Sequence, residues 1–298
     1  FSDVLLNEGS PVANTDDGFF TVIDNRYSIS GKVGYYYDFI NTPIGDVTLQ
    51  LTGGISASTL TDNDGNYLFD DLQQTDYVLT PAKSSDIKNS ITAYDAALIL
   101  QNYVGMIDLA PYQMIAGDVT GNGEITPFDA SFILRYTVGS VQIFPVGKEW
   151  TFVPTEFLIN EMNWHDAPDS LNFAPLYSDM IDQNFVGIIY GDASGNWNTA
   201  RKGATVSANF VIAEPAESES NQIIIPIEIQ IKDEAFSGKL RLEYDSSEFE
   251  FISIRNTAEI TDLIISHHEQ NGEITIAFAS PISLAQKTIS LGLSLIHI

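Results

Sequence analysis

The feature that most constrains this chain is an internal repeat. Residues 91–105 read Ile-Thr-Ala-Tyr-Asp-Ala-Ala-Leu-Ile-Leu-Gln-Asn-Tyr-Val-Gly, and residues 125–139 return as Ile-Thr-Pro-Phe-Asp-Ala-Ser-Phe-Ile-Leu-Arg-Tyr-Thr-Val-Gly, with eight of fifteen aligned positions identical. Such self-similarity marks one structural unit used twice. Each copy opens on a threonine, Thr92 or Thr126, whose hydroxyl can cap helix amides, and Pro127 falls where a first-turn proline is tolerated. Each closes on glycine, the usual helix stop. Ala96, Ile99, Leu100 and Tyr103 recur at helical spacing, as do Ala130, Ile133, Leu134 and Thr137. Two helices are therefore predicted, each with one apolar stripe, packed as a pseudo-symmetric pair.

Directly before the second helix, residues 118–129 form a twelve-residue stretch, Asp-Val-Thr-Gly-Asn-Gly-Glu-Ile-Thr-Pro-Phe-Asp. Asp118, Thr120 and Asn122 stand at the first, third and fifth positions, a glycine at the sixth and Asp129 at the last, the spacing of hard oxygens that suits calcium. Glu124 would contribute its backbone carbonyl, and Thr126 would act through a water. The alternative is that Asp129 only caps a helix. The first copy is less regular: counting back twelve residues from Asp95 puts Lys88 at the fifth position, where a cation opposes calcium. A shortened loop would leave Asp86, Thr92 and Asp95 as its ligands, with weaker binding or none.

The closing aspartate, and a helix after the loop with none before it, make this region similar to the dockerin family, whose duplicated loop-helix units dock onto cohesin modules. The resemblance implies Ca2+ as the cofactor and a protein module as the partner. It also implies partner contacts just before each closing aspartate and on the exposed helix face: Tyr94 and Phe128, with Gln101 and Arg135 further along. Inward packing of Tyr94 and Phe128 is the open alternative.

The flanks read as β structure. Short apolar runs at 27–37, 45–52, 58–61, 67–69 and 77–81 are separated by Gly, Asn and Asp turns. Ser30-Gly31-Lys32-Val33, residues 43–49 and residues 61–69 resemble the carboxypeptidase-regulatory-like and B-repeat sandwiches of bacterial surface proteins. Asp62-Asn63-Asp64-Gly65 there is read as a hairpin turn. Clean alternation returns at 205–212, 222–231, 239–244, 249–254 and 273–279, and residues 237–254 with 274–279 resemble a cohesin-type domain. The fold class expected is multidomain and mainly β, of antiparallel β-sandwiches, with a small EF-hand-like helical module in the middle. The division is 1–27 as a tail or linker, 28–82 as the first sandwich, 83–148 as the dockerin-like module, 149–203 as a β-rich connecting segment and 204–292 as a truncated cohesin-like sandwich. Residues 293–298 end in Leu-Ser-Leu-Ile-His-Ile, which resembles a translated sequencing-library adapter, and are set aside from the fold.

Composition sets the outer limits. At 298 residues the chain has room for roughly two to four domains. A net charge of -27 repels nucleic acid and anionic lipid, so neither is an expected partner. The absence of cysteine excludes disulfides, zinc–thiolate sites and thiol nucleophiles. No apolar stretch approaches the ~20 residues of a membrane span.

The sequence begins at Phe1, and an internal fragment of a longer secreted protein is expected, with any signal peptide, anchor or catalytic domain outside it. His267 and His268 beside Glu269 are read as a solvated loop. Residues 191–197, Gly-Asp-Ala-Ser-Gly-Asn-Trp, echo residues 117–123 but lack a closing acid downstream, and are read as a structural turn, with a calcium loop as the less favoured alternative. Ser194 there does not sit in a G-x-S-x-G nucleophile elbow. Single tryptophans most often fill cores, and Trp164 and Trp197 would stack on sugar rings only if exposed. The function expected is that of an extracellular or cell-surface, non-catalytic interaction or scaffold protein, with cohesin- or dockerin-type modules as partners and polysaccharide as a further one. The runner-up is the accessory region of a secreted glycoside hydrolase or peptidase.

Overall fold

Strand alternation sorts the side chains of residues 26–82 into a buried and an exposed set, and the sheets follow from that sorting. The computed structural model describes residues 25–84, 86–87, 89–197, 208–214, 216–217, 222–257, 260 and 262–297; residues 1–24 of the expected tail, and Lys88, lie outside the described residues. Five strands come first: β1 (Arg26–Tyr35), β2 (Thr48–Gly53), β3 (Ala57–Leu60), β4 (Asn66–Gln73) and β5 (Tyr77–Ala82). Along β2 and β5 the buried residues are Leu49 and Leu51 against Tyr77, Leu79 and Pro81, with Leu51 directly opposite Leu79. Three helices follow, α1 (Ala93–Tyr103), α2 (Pro111–Gly117) and α3 (Pro127–Thr137). The repeat thus forms the two helices it predicts, and α2, which ends at Gly117 directly before Asp118, corrects the expectation that no helix precedes the loop at 118–129.

The segment after the helices, read as a connecting stretch, supplies three strands to the first sandwich. These are β6 (Trp150–Pro154), β7 (Leu171–Phe173) and β8 (Phe185–Ile189). The two sheets run β4-β1-β8-β6 and β3-β2-β5-β7. The expectation of purely antiparallel pairing is corrected at one place: β1 and β8 run parallel, with Val33 opposite Phe185. Parallel neighbours need a long crossover, and here the helices and six further strands, β2 to β7, fill it. Every residue of β6 and β8 is buried, because both faces of this edge are covered. Trp150, Phe152, Phe185 and Ile189 enter the sandwich core, while Val153, Val186 and Ile188 face the helices.

The second sandwich comprises β9 (Ala208–Ile212), β10 (Ala216–Glu217), β11 (Gln222–Ile231), β12 (Ser237–Glu243), β13 (Phe249–Asn256), β14 (Ile264–Gln270), β15 (Glu273–Ala279) and β16 (Thr288–His297). One sheet is ordered β10-β11-β16-β13 with β9 on β11, and the other β12-β15-β14. His267 and His268 lie in β14, opposite Ile276 and Thr275, rather than in a loop. Residues 293–297, set aside from the sequence reading, complete β16 between β11 and β13, and Leu293 and Leu295 are buried in its core. The alternating Leu291, Leu293 and Leu295 continue the same inward face as Ile289.

The helical pair is a layer between the two sandwiches. α1 packs on α3, on β12 and on β15, and α3 packs on β14 and β15. Along β15, Ile274, Ile276 and Phe278 point into the second sandwich, while Ala277 and Ala279 join the helix core. Alanines on that face let the helices approach closely. Lys239 Nζ donates to the carbonyl of Thr137 at 2.6 Å, setting a cation at the C-terminal end of α3.

A close approach in the first sandwich gives one direct test. A Cβ on Gly31 would stand 2.2 Å from the backbone oxygen of Gln183, which also accepts the Tyr67 hydroxyl. Gly31→Ala is expected to destabilise by at least ~1–3 kcal/mol, because the obstacle is backbone. A lowered midpoint in urea denaturation checks this, and an unchanged midpoint would contradict it.

Candidate functional site

The two repeats close alike, since Gly105 and Gly139 adopt positive φ (74° and 86°). The amides of Met106 and Ser140 reach back to the carbonyls of Gln101 and Arg135, each at 2.9 Å, the six-to-one bond of a Schellman end. At the other end the N-cap threonines hold the helix-opening aspartates. Thr126 donates from both its backbone N and its Oγ1 to Asp129 Oδ2, each at 3.0 Å, and Thr92 does the same to Asp95 Oδ2 at 2.7 and 2.9 Å. Both aspartates are fully buried.

The second loop converges as its spacing predicts. Asp118 Oδ1 accepts the amides of Gly121 (2.8 Å) and Asn122 (3.1 Å), and Oδ2 that of Gly123 (2.8 Å). Asp129 Oδ1 accepts the amide of Thr120 at 3.2 Å. Thr120 Oγ1 lies 3.1 Å from Asp118 Oδ1 and 2.9 Å from Asp129 Oδ1, and its single proton can serve only one of them. The left-handed Gly121 and Gly123 (φ 72° and 81°) make the tight wrap possible. Asn122 Oδ1 accepts the Glu124 amide at 2.9 Å, and the Glu124 side chain is exposed, as a residue contributing only its carbonyl would be. Burial raises the Asp129 carboxyl above its ordinary range, against the bonds from Thr120 and Thr126.

The first copy has a different partner from the one its own sequence offers. Asp86, expected to open a shortened loop, turns its carboxylate toward Lys83 (3.8 Å), and its carbonyl accepts the Trp197 indole N–H. Asp95 instead accepts the amide of Ser194 on Oδ1 at 2.8 Å. The turn at 191–197 therefore stands over α1 where residues 118–123 stand over α3. Asp192 Oδ1 accepts Ser194 Oγ (3.2 Å) and the amides of Gly195 (2.9 Å) and Asn196 (3.2 Å). Its Oδ2 accepts the Tyr35 hydroxyl at 2.6 Å, and its carbonyl the Tyr36 hydroxyl at 2.7 Å. Asp192 and Asp95 are both fully buried. Burial, and then the Asp192 charge, hold Asp95 well above the usual carboxylate range, and burial likewise raises Asp192. Two like charges in a desolvated space favour neutralisation by a proton or a cation.

Among the described residues no three His, Asp or Glu side chains cluster. A metal at either place would be held by two carboxylates with hydroxyl and carbonyl oxygens, a hard-oxygen set that fits calcium and offers nothing to a soft metal. The residues at 118–129 fit such an ion: Thr120 Oγ1 already lies within contact of side-chain oxygens of both Asp118 and Asp129.

The expected partner face is divided. Tyr94 and Phe128 point outward, 46 % and 60 % exposed, and Phe132 stacks edge-on against Phe128 with Arg135 over its ring at 5.0 Å. Gln101 does not belong to that face, because it is buried on the helix that packs against β12 and β15. Trp164 and Trp197 are buried too, and Trp197 packs against Tyr35 and Trp150, so neither presents a ring to a sugar.

The architecture is that of a mainly β, multi-sandwich protein with a helical pair set between its sandwiches. No family model and no curated protein matches the chain. Among solved structures, it is similar to a cohesin module of a family 33 glycoside hydrolase from Clostridium perfringens, at 17 % identity over 31 % of this chain and 72 % of that one, with a TM-score of 0.26. It is also similar to the major pilin SpaD of Corynebacterium diphtheriae, at 8 % identity over 91 % of this chain, with a TM-score of 0.27, and to the major pilin BcpA of Bacillus cereus, at 9 % over 92 %, with a TM-score of 0.24. The chain spans 56 % and 59 % of the length of those pilins. Likenesses this faint carry no functional argument. No helix among the described residues is long and apolar enough to cross a membrane.

Proposed function

We propose that this chain is a non-catalytic extracellular interaction or scaffold protein whose helical layer is a dockerin-like module ordered by calcium at Asp118, Thr120, Asn122, Glu124 and Asp129. The observation that carries the reading is Thr120 Oγ1 held between the carboxylates of Asp118 and Asp129. One proton satisfies one of these contacts, whereas a divalent cation would bind all three oxygens at once. The interaction role draws on the packing of α1 and α3 against the β12-β15-β14 sheet, a helix-on-sheet contact between modules, and on the outward aromatic pair Tyr94 and Phe128. Partners of protein type suit that aromatic surface.

Calcium is expected to raise the melting temperature of the whole protein. An ion that binds only the folded state at a hundredfold excess over its Kd stabilises by about 2.7 kcal/mol. Calorimetry with calcium and with chelator checks this, and coincident melting curves would remove the metal from the reading. Capture of a cohesin-type module in calcium, lost in chelator, is the corresponding test of the interaction role.

A further inference from the structure

We infer that the protein has a second calcium loop, split between two distant stretches of chain: Asp192, Ser194 and Asn196 form its opening half, and Ser90, Thr92 and Asp95 its closing half. The inference rests on the calcium reading of residues 118–129 and extends it to residues that no contiguous motif contains. The sequence supports it first. Residues 191–196, Gly-Asp-Ala-Ser-Gly-Asn, repeat the order of residues 117–122, Gly-Asp-Val-Thr-Gly-Asn, and residues 91–95 repeat 125–129. The fold brings the two halves together: the Ser194 amide donates to Asp95 Oδ1 as the Thr120 amide donates to Asp129 Oδ1.

A separate observation points to a missing ligand. On the repeat alignment Ser90 is the counterpart of Glu124, at the seventh loop position. Its side chain is 2 % exposed, and its hydroxyl is buried with no hydrogen-bond partner. A buried hydroxyl left unpaired costs free energy, and Ser90 stands five residues before the buried Asp95, as Glu124 stands before Asp129. The oxygens of Asp95, Asp192, Ser194 and Ser90 are hard donors with a formal charge of -2, a set for calcium or a trivalent lanthanide and not for a thiophilic ion.

The experiment is ion counting on the full chain. Isothermal titration of the chelated protein with calcium is expected to give two ions per chain, and one ion each for Asp192→Asn and Asp118→Asn. One ion for the wild type, lost in Asp118→Asn and kept in Asp192→Asn, would overturn the split loop while leaving the contiguous one standing. No ion at all would overturn both. Terbium gives a readout that does not depend on how well the Asp192 variant folds. In Asp118→Asn, where only the split loop remains, excitation of Trp197 beside Asn196 is expected to sensitise terbium emission, and calcium is expected to quench it by displacement. Loss of that emission in a variant that melts cooperatively would count against the split loop.

Discussion

Replacing Asp129 by alanine is expected to abolish calcium binding at residues 118–129 and to destabilise the protein even in chelator. The fully buried carboxylate accepts from Thr120 N, Thr126 N and Thr126 Oγ1, with Thr120 Oγ1 also in range. Alanine leaves these donors unpaired inside the protein, and each buried unsatisfied group costs about 1–3 kcal/mol. The N-terminal end of α3 also loses the one acid of its first turn. A loss of roughly 3 kcal/mol or more lowers the melting temperature by about 2–4 °C per kcal/mol in a protein of this size class. Scanning calorimetry in chelator separates this loss from the loss of the ion. A variant that melts like the wild type in chelator would mean that the carboxylate contributes nothing without the metal.

Ile99→Ala is expected to be nearly as damaging through packing alone. Ile99 is fully buried in the helix core, and its Cδ1 covers Gly117, the last residue of α2 before the Asp118 loop. Truncation leaves a cavity between α1 and α2 that the surrounding strands cannot fill, at a cost of about 2–5 kcal/mol. The urea midpoint should fall with the m-value unchanged. A Cβ on Gly117 would lie 2.5 Å from that Cδ1, so Gly117→Ala should be tolerated better in the Ile99→Ala background than alone. Strict additivity of the two changes would show that the contact does not couple them.

What could be read from the sequence was what is local. The repeat predicts α1 and α3 because capping threonine, apolar stripe and closing glycine all lie within one helix, and the contiguous loop at 118–129 is visible for the same reason. The alternation of β11 and β15 gives their bounds, 222–231 and 273–279, as the strands are found. The partner of Asp95 was not legible. A spacing rule looks for an acid downstream of residues 191–197, whereas the carboxylate that accepts the Ser194 amide is that of Asp95, 99 residues upstream, and β8, which leads into that turn, pairs in parallel with β1. The same pairing makes residues 149–197 part of the first sandwich, a membership their own composition does not display. Gln101 was misplaced because helical periodicity identifies the stripe facing the other helix, not a second buried face covered by a sheet from beyond residue 236. Helices walled on two sides bury more of their circumference than an amphipathic pattern announces.

The parallel alignment of β1 and β8 has a mechanical consequence. Chain entering at Arg26 pulls on the first end of β1, and chain leaving beyond Trp197 pulls on the far end of β8. The amides of Ser30, Met180, Gln183 and Tyr36 form rungs between these two stretches, with Lys32 N bonded to Asn184 Oδ1 at 2.7 Å among them. Tension between those points loads the rungs together in shear, rather than peeling them one after another as a hairpin would. Tension applied between Arg26 and Trp197 would thus meet the first sandwich in shear across the β1–β8 pairing.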